Sequence, residues 1–160
     1  YYNRLRDTQG NTNVIDVFVP PWASQFLMIV QVEAKWDGQV NDMLMAALSG
    51  PNLHVKTVIA VDEDVDIYNA EDVLWAMTTR VDPAQHVKIQ TGSRLHPLDA
   101  VIPEMGDDYT VMRIGGKMGI DATKPPTFRK EARDKFQRVD PMGKGDDAIA
   151  KLLEMVRMPR

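Results

Sequence analysis

Apolar runs rich in Val and Ile alternate along this chain with stretches whose apolar residues recur at helical spacing. That alternation restricts the fold more than any other feature. Residues 14–19 read VIDVFV and end at Pro20-Pro21, which cannot continue a ladder of strand hydrogen bonds. Residues 26–32, FLMIVQV, are almost continuously apolar, as a strand covered on both faces should be. The period then changes. Val40, Met43, Leu44, Ala47 and Leu48 fall at i, i+3, i+4, i+7 and i+8, one stripe of a helix that Gly50-Pro51 stops. Residues 55–61 form the next β-branched run.

Asn69 is a good helix N-cap, with Glu71 and Asp72 in the first turn where the helix dipole favours acids. Val73, Leu74, Met77 and Val81 carry the apolar stripe of that helix, which Asp82-Pro83 ends. Residues 87–90 are a short strand candidate. This order predicts an α/β fold: a mostly parallel sheet of βαβ units, with right-handed crossovers and helices packed on it. Beyond residue 92 the pattern loosens into a long segment punctuated by Pro and Gly, with residues 111–114 as a further strand candidate. Ile149, Leu152, Leu153 and Val156 predict a C-terminal helix.

Composition narrows the functions. At 160 residues the chain suits one domain with a real core. A net charge of −4 and the lack of a Lys/Arg stripe argue against nucleic acid as a partner. With no cysteine there is no disulfide, thiol nucleophile or cysteine-ligated zinc. No apolar run approaches the ~18 residues of a membrane span, and no secretory signal is visible. A cytoplasmic protein is the expectation. The opening YYNRLRDTQG lacks Met and starts mid-pattern, so residues 1–13 are read as a linker from a missing N-terminal part. Residues 14–126 are then the α/β domain, and 127–160 a tail ending in the helix.

The acids Asp62, Glu63, Asp64 and Asp66 raise the question of a metal. Asp62, Asp64 and Asp66 match the first three oxygen positions of a calcium-binding EF-hand loop, but Ile67 and Val73 stand where it needs Gly and Glu. The cluster reads instead as a strand end whose acids face solvent, cap a turn or pair with Arg80 or Lys56. The GGKMG stretch (Gly115, Gly116, Gly119) lacks the spacing of a dinucleotide loop, and Pro125-Pro126 forbids an immediate helix interior. Its glycines let the backbone pass close to something large, either a cofactor or a neighbouring element. His54, His86 and His96 show no metal-ligand spacing. Met43, Met45, Met77, Met105, Met112 and Met118 suit a core or a buried subunit surface. No nucleophile, base and oxyanion site assemble from these residues.

Two long motifs carry a resemblance. KTVIAVDEDVDIYNAEDVLWAMTTRVDP (56–83) and GGKMGIDATKP (115–125) are similar to signatures of the UbiD family of decarboxylases, in the family's order. VIDVFVP and FLMIVQVEAK upstream also fit. The resemblance implies a reversible decarboxylase of aromatic, heteroaromatic or α,β-unsaturated acids that uses prenylated FMN, with a divalent metal and K+ at the cofactor phosphate. It covers only the carboxy-terminal domain. Cofactor, metals and the catalytic Glu–Arg–Glu residues belong to the amino-terminal flavin-binding domain, so no residue of this chain inherits a catalytic, cofactor or metal role. The implied role is oligomer contact and capping of the active site. Residues 97–117 match the family loop that faces substrate, with Ile102, Pro103 and Met105 as the apolar pocket residues. Lys117 and Asp121 are expected to fix that loop. The competing readings are a non-catalytic α/β assembly or regulatory subunit and a flavodoxin-like nucleotide binder.

Overall fold

The computed structural model describes residues 1–8, 10–49, 53–97, 99–101, 114–124, 131 and 136. Its strands are β1 (Val14–Phe18), β2 (Leu27–Val32), β3 (Thr57–Asp62), β4 (Val87–Arg94) and β5 (Ile114–Ala122). The helices are α1 (Gln39–Leu48), α2 (Ala70–Arg80) and the single turn α3 (Pro83–His86). One sheet has the order β1-β2-β3-β5-β4. Its central strands β2, β3 and β5 are parallel.

Pleating explains why β2 is apolar at almost every position. Met28, Val30 and Val32 pack with Val58 and Ala60 of β3 under α1, which buries Val40, Met43, Leu44, Ala47 and Leu48. Ile29 points to the other face, where Ile59, Val61, Ile120 and Ala122 meet Val73 and Ala76 of α2. The helices therefore cover opposite faces, and each strand between them has no polar side. Asn69 caps α2 as its position predicts: its side chain accepts a hydrogen bond from Glu71 N at 3.0 Å.

The α/β class is as the sequence predicts, and the parallel pairing holds in the centre of the sheet. Both edges differ. β1 runs antiparallel to β2, and β4 antiparallel to β5. Residues 19–26 are too few for a parallel crossover, which needs about a dozen; a 3-10 turn, Pro21–Ala23, reverses the chain instead. The loosened segment contains a nine-residue central strand, β5, built on the GGKMG stretch. β4 is longer than predicted and reaches Arg94. Its last residues pair with Ile114 and Gly115, beyond the start of β3.

Arg4–Thr8 forms a π-helical turn, and Leu5 is 2% exposed within the core under α1. The predicted C-terminal helix and Ile102, Pro103 and Met105 lie outside the described residues.

Candidate functional site

The two sequence motifs meet at the carboxyl ends of the parallel strands. Arg80, in the last turn of α2, lies 3.2 Å from Asp62 at the end of β3, with both side chains 0% exposed. It also holds both oxygens of Asp64, at 3.1 and 2.8 Å. Lys124, just past β5, places its Nζ 2.9 Å from Asp64 and donates its backbone N–H to Asp62. The Arg80 guanidinium stacks 4.8 Å from the Trp75 ring. Burial pushes the Asp64 carboxyl up, but hydrogen bonds from Arg80 and Lys124, and their charges, more than offset this and leave it below its ordinary 3.8.

The acid cluster is thus an ion network joining β3, α2 and the exit of β5. Asp62 does not face solvent, as one sequence reading had it, and it pairs with Arg80 rather than Lys56. The Asp62 and Asp64 oxygens serve protein cations. Among the described residues no group of three or more His, Asp or Glu is placed to hold a metal ion.

Beside this network opens a crevice of about 420 Å³, bounded by Trp36 and Gly38 before α1, His86 of α3, Asp121 near the end of β5, and Thr123 and Lys124 after it. Open α/β sheets bind ligands at this end. Asp121 is engaged locally: it accepts from Thr123 N at 3.0 Å and Thr123 Oγ1 at 2.6 Å, which fixes the turn leaving β5. His86 Nδ1 accepts from Asp82 N at 3.0 Å.

The opposite, amino end of β3 holds the two ends of the predicted substrate loop. Asp99 is 4% exposed and takes Lys56 Nζ on both oxygens at 3.0 Å. It also accepts from Val101 N at 3.2 Å. The rings of His54 and His96 stack with centroids 4.2 Å apart. Lys56 is itself fixed: its N–H donates to Phe26 O, and its carbonyl accepts from Met118 N. At the loop's exit Lys117 is buried on β5 and donates to Leu48 O at 3.1 Å. Burial, then the neighbouring charge of Arg4, lowers the Lys117 pKa below 10.5. Lys117 therefore ties the start of β5 to the end of α1. The Lys56–Asp99 pair escaped the sequence reading. Its signal was an acid, Asp99, set among apolar residues in LDAV.

The last glycine of GGKMG, Gly119, faces a helix. A Cβ on Gly119 would lie 3.3 Å from Leu48 Cδ1 and 3.4 Å from Leu44 Cβ. The large neighbour is α1.

The fold and these sites define an α/β domain with a parallel centre, antiparallel edges and an ion network where its two motifs meet. A family model, the 3-octaprenyl-4-hydroxybenzoate carboxy-lyase C-terminal domain, matches residues 2–122, and the chain belongs to that family. Its solved structural neighbours are UbiD-class decarboxylases. HmfF from Pelotomaculum thermopropionicum, in complex with FMN, is similar at TM-score 0.70 and 26% identity, over 94% of this chain and 31% of that one. The 3,4-dihydroxybenzoic acid decarboxylase of Enterobacter cloacae matches at TM-score 0.71 and 27% identity, over 94% and 31%. The vanillic acid decarboxylase of Sedimentibacter hydroxybenzoicus, in closed form, matches at TM-score 0.67 and 29% identity, over 98% and 31%. This chain thus spans about a third of the length of each solved relative.

Proposed function

We propose that the chain is the oligomerising and active-site-capping part of a UbiD-class decarboxylase. The reaction is the reversible loss of CO2 from an aromatic, heteroaromatic or α,β-unsaturated carboxylic acid. The observation that carries this reading is the match to a carboxy-lyase C-terminal domain over residues 2–122. Decarboxylases of two aromatic acids among the structural neighbours support the substrate class. HmfF, solved with FMN and, in an evolved dimeric form, with prFMN, supports the cofactor and the assembly.

In this reading prenylated FMN, with its divalent metal and K+, sits on an amino-terminal flavin domain and supplies the electron sink when bound. The proton-moving Glu–Arg–Glu groups sit there as well. This chain contributes Ile102, Pro103 and Met105 as an apolar wall against a flat substrate. Lys56–Asp99 ties the entry of their loop to β3, and Lys117 ties its exit to the end of α1. An apolar wall discriminates between acids by shape, worth about 1–3 kcal/mol per methylene-sized difference.

The test is reconstitution. The chain is mixed with a UbiD-class flavin domain loaded with prenylated FMN, and CO2 release is followed from benzoate-like, phenolic and heteroaromatic acids. Turnover is expected only from the mixture. Turnover by this chain alone, or flavin-domain activity that does not change when the chain is added, overturns the proposal.

A further inference from the structure

Lys117 is a buried amine that takes no part in the chemistry proposed above. It stands on β5, is 3% exposed, and donates to the carbonyl of Leu48, the last residue of α1, at 3.1 Å. A second cation lies near it. Arg4 belongs to the π-helical turn whose Leu5 shares the core cluster of Leu48. After burial, the larger cause, the Arg4 charge lowers the Lys117 pKa further.

The Arg4 guanidinium is unsatisfied. Nη1 and Nη2 are both buried, and neither has a hydrogen-bond partner. A guanidinium stays charged at any pH that a folded protein meets, and a buried charge without a partner is costly. Cations suit the C-terminal end of a helix, yet Arg4 gives neither terminal nitrogen to a carbonyl there. The two Nη atoms form a fork that fits two oxygens of one planar anion. What Arg4 lacks is that anion, and burial opposes the entry of a hydrated one.

A neutral reagent avoids this barrier. CO2 is small and apolar, and the reaction proposed above releases it. Burial and a neighbouring cation favour the neutral, nucleophilic form of a lysine amine. Attack of its nitrogen lone pair on the carbon of CO2 forms one N–C bond and moves one C–O π pair onto oxygen. The nitrogen passes one proton to water, so that R–NH2 and CO2 give R–NH–COO− and H+. The product keeps one N–H, enough for the bond to Leu48 O.

We propose that Lys117 is a CO2-binding site, its amine taking CO2 as a carbamate whose two oxygens are held by the Arg4 fork. The buried guanidinium then gains its counter-ion, and the modified side chain still ties β5 to α1. CO2 from turnover and CO2 dissolved from bicarbonate are the same reagent, so the test needs neither flavin domain nor substrate.

The full 160-residue chain is held in mildly alkaline carbon-13 bicarbonate. Carbamates are trapped by ethylation with triethyloxonium and located by peptide mass. One ethoxycarbonyl group is expected on Lys117, and carbon-13 NMR is expected to show a carbonyl line distinct from bicarbonate. Lys117→Arg keeps the charge but forms no carbamate, and both signals are expected to vanish. Arg4→Met is expected to cut occupancy by about tenfold or more at equal CO2. Far-UV circular dichroism checks the fold of both variants, and the wild-type map stands even where a variant does not fold. Raising CO2 at fixed pH is expected to raise the Tm of the wild type and not that of Lys117→Arg. No adduct on Lys117 in the wild type, or no more than on the exposed Lys35, overturns the proposal. So does a folded Arg4→Met of unchanged occupancy. A Tm rise shared by wild type and Lys117→Arg, without an adduct, assigns the site to a bicarbonate ion and overturns it as well. Each of these failures leaves the decarboxylase reading untouched.

Discussion

Arg80 Nη1 stands 3.2 Å from Asp62 Oδ2, and neither side chain reaches solvent. Removing the arginine leaves a buried carboxylate without its main cation. Arg80→Met is therefore expected to cost about 3–5 kcal/mol of stability. Adding Asp62→Asn is expected to restore part of that loss, because no uncompensated charge remains. Urea denaturation of the two variants reads the difference. Equal stability of the single variant and the wild type would show that the pair does not hold the strand end.

Asp64 gives the same network a pH dependence. Burial opposes its ionisation, but Arg80 and Lys124 outweigh burial and leave its pKa below 3.8. A carboxyl depressed by folding binds fewer protons in the folded than in the unfolded chain. Its stabilisation is fully present above about 3.8 and is lost as the pH falls through the lower, folded value. The side chain keeps 34% of its surface in water, so screening holds the effect below that of the Asp62 pair. Asp64→Asn is expected to flatten the fall of unfolding free energy with acid below about pH 4. An unchanged slope would remove Asp64 from the account.

Gly119 has no room for a branched side chain. With Leu48 Cδ1 at 3.3 Å and Leu44 Cβ at 3.4 Å from its Cβ position, Gly119→Val must push α1 off the sheet. A loss of about 1–3 kcal/mol is expected. Leu48→Ala in the same chain should recover part of it by opening space. Thermal unfolding of the single and double variants checks whether the two changes couple.

The two ends of the sheet make opposite predictions about substrate choice. If the loop of Ile102 forms the wall, Ile102→Trp alters the ratio of kcat/KM between a small and a large aromatic acid by about 10–200-fold. Trp36→Ala, in the crevice at the far end, leaves that ratio within about twofold of wild type. The comparison is made in the reconstituted enzyme. The reverse pattern would move the substrate to the carboxyl ends of the strands.

Much of this was legible locally. Asn69, followed by Glu71 and Asp72, marks the start of α2 because capping is decided within one turn. The stripe of Val40, Met43, Leu44, Ala47 and Leu48 gives α1 and its buried face. The strand β5 was harder. Its glycines lower strand propensity and break the apolar pattern. They are tolerated because β5 pairs with strands on both sides and Gly119 lies directly under α1. Direction at the edges was hidden for a similar reason: alternation shows that a strand exists, not which way its partner runs.

By itself the sequence determined the α/β class, the cap of α2, the strands β2 and β3 and, through two motifs, the family, because these rest on short-range spacing and residue type. Only the tertiary structure decided that Asp62, Asp64, Arg80 and Lys124 form one ion network, although 62 positions separate Asp62 from Lys124. It also paired Lys56 with Asp99 and left the Trp22 side chain exposed. A charge's partner, and the solvent left to a side chain, depend on which distant segments the fold brings together.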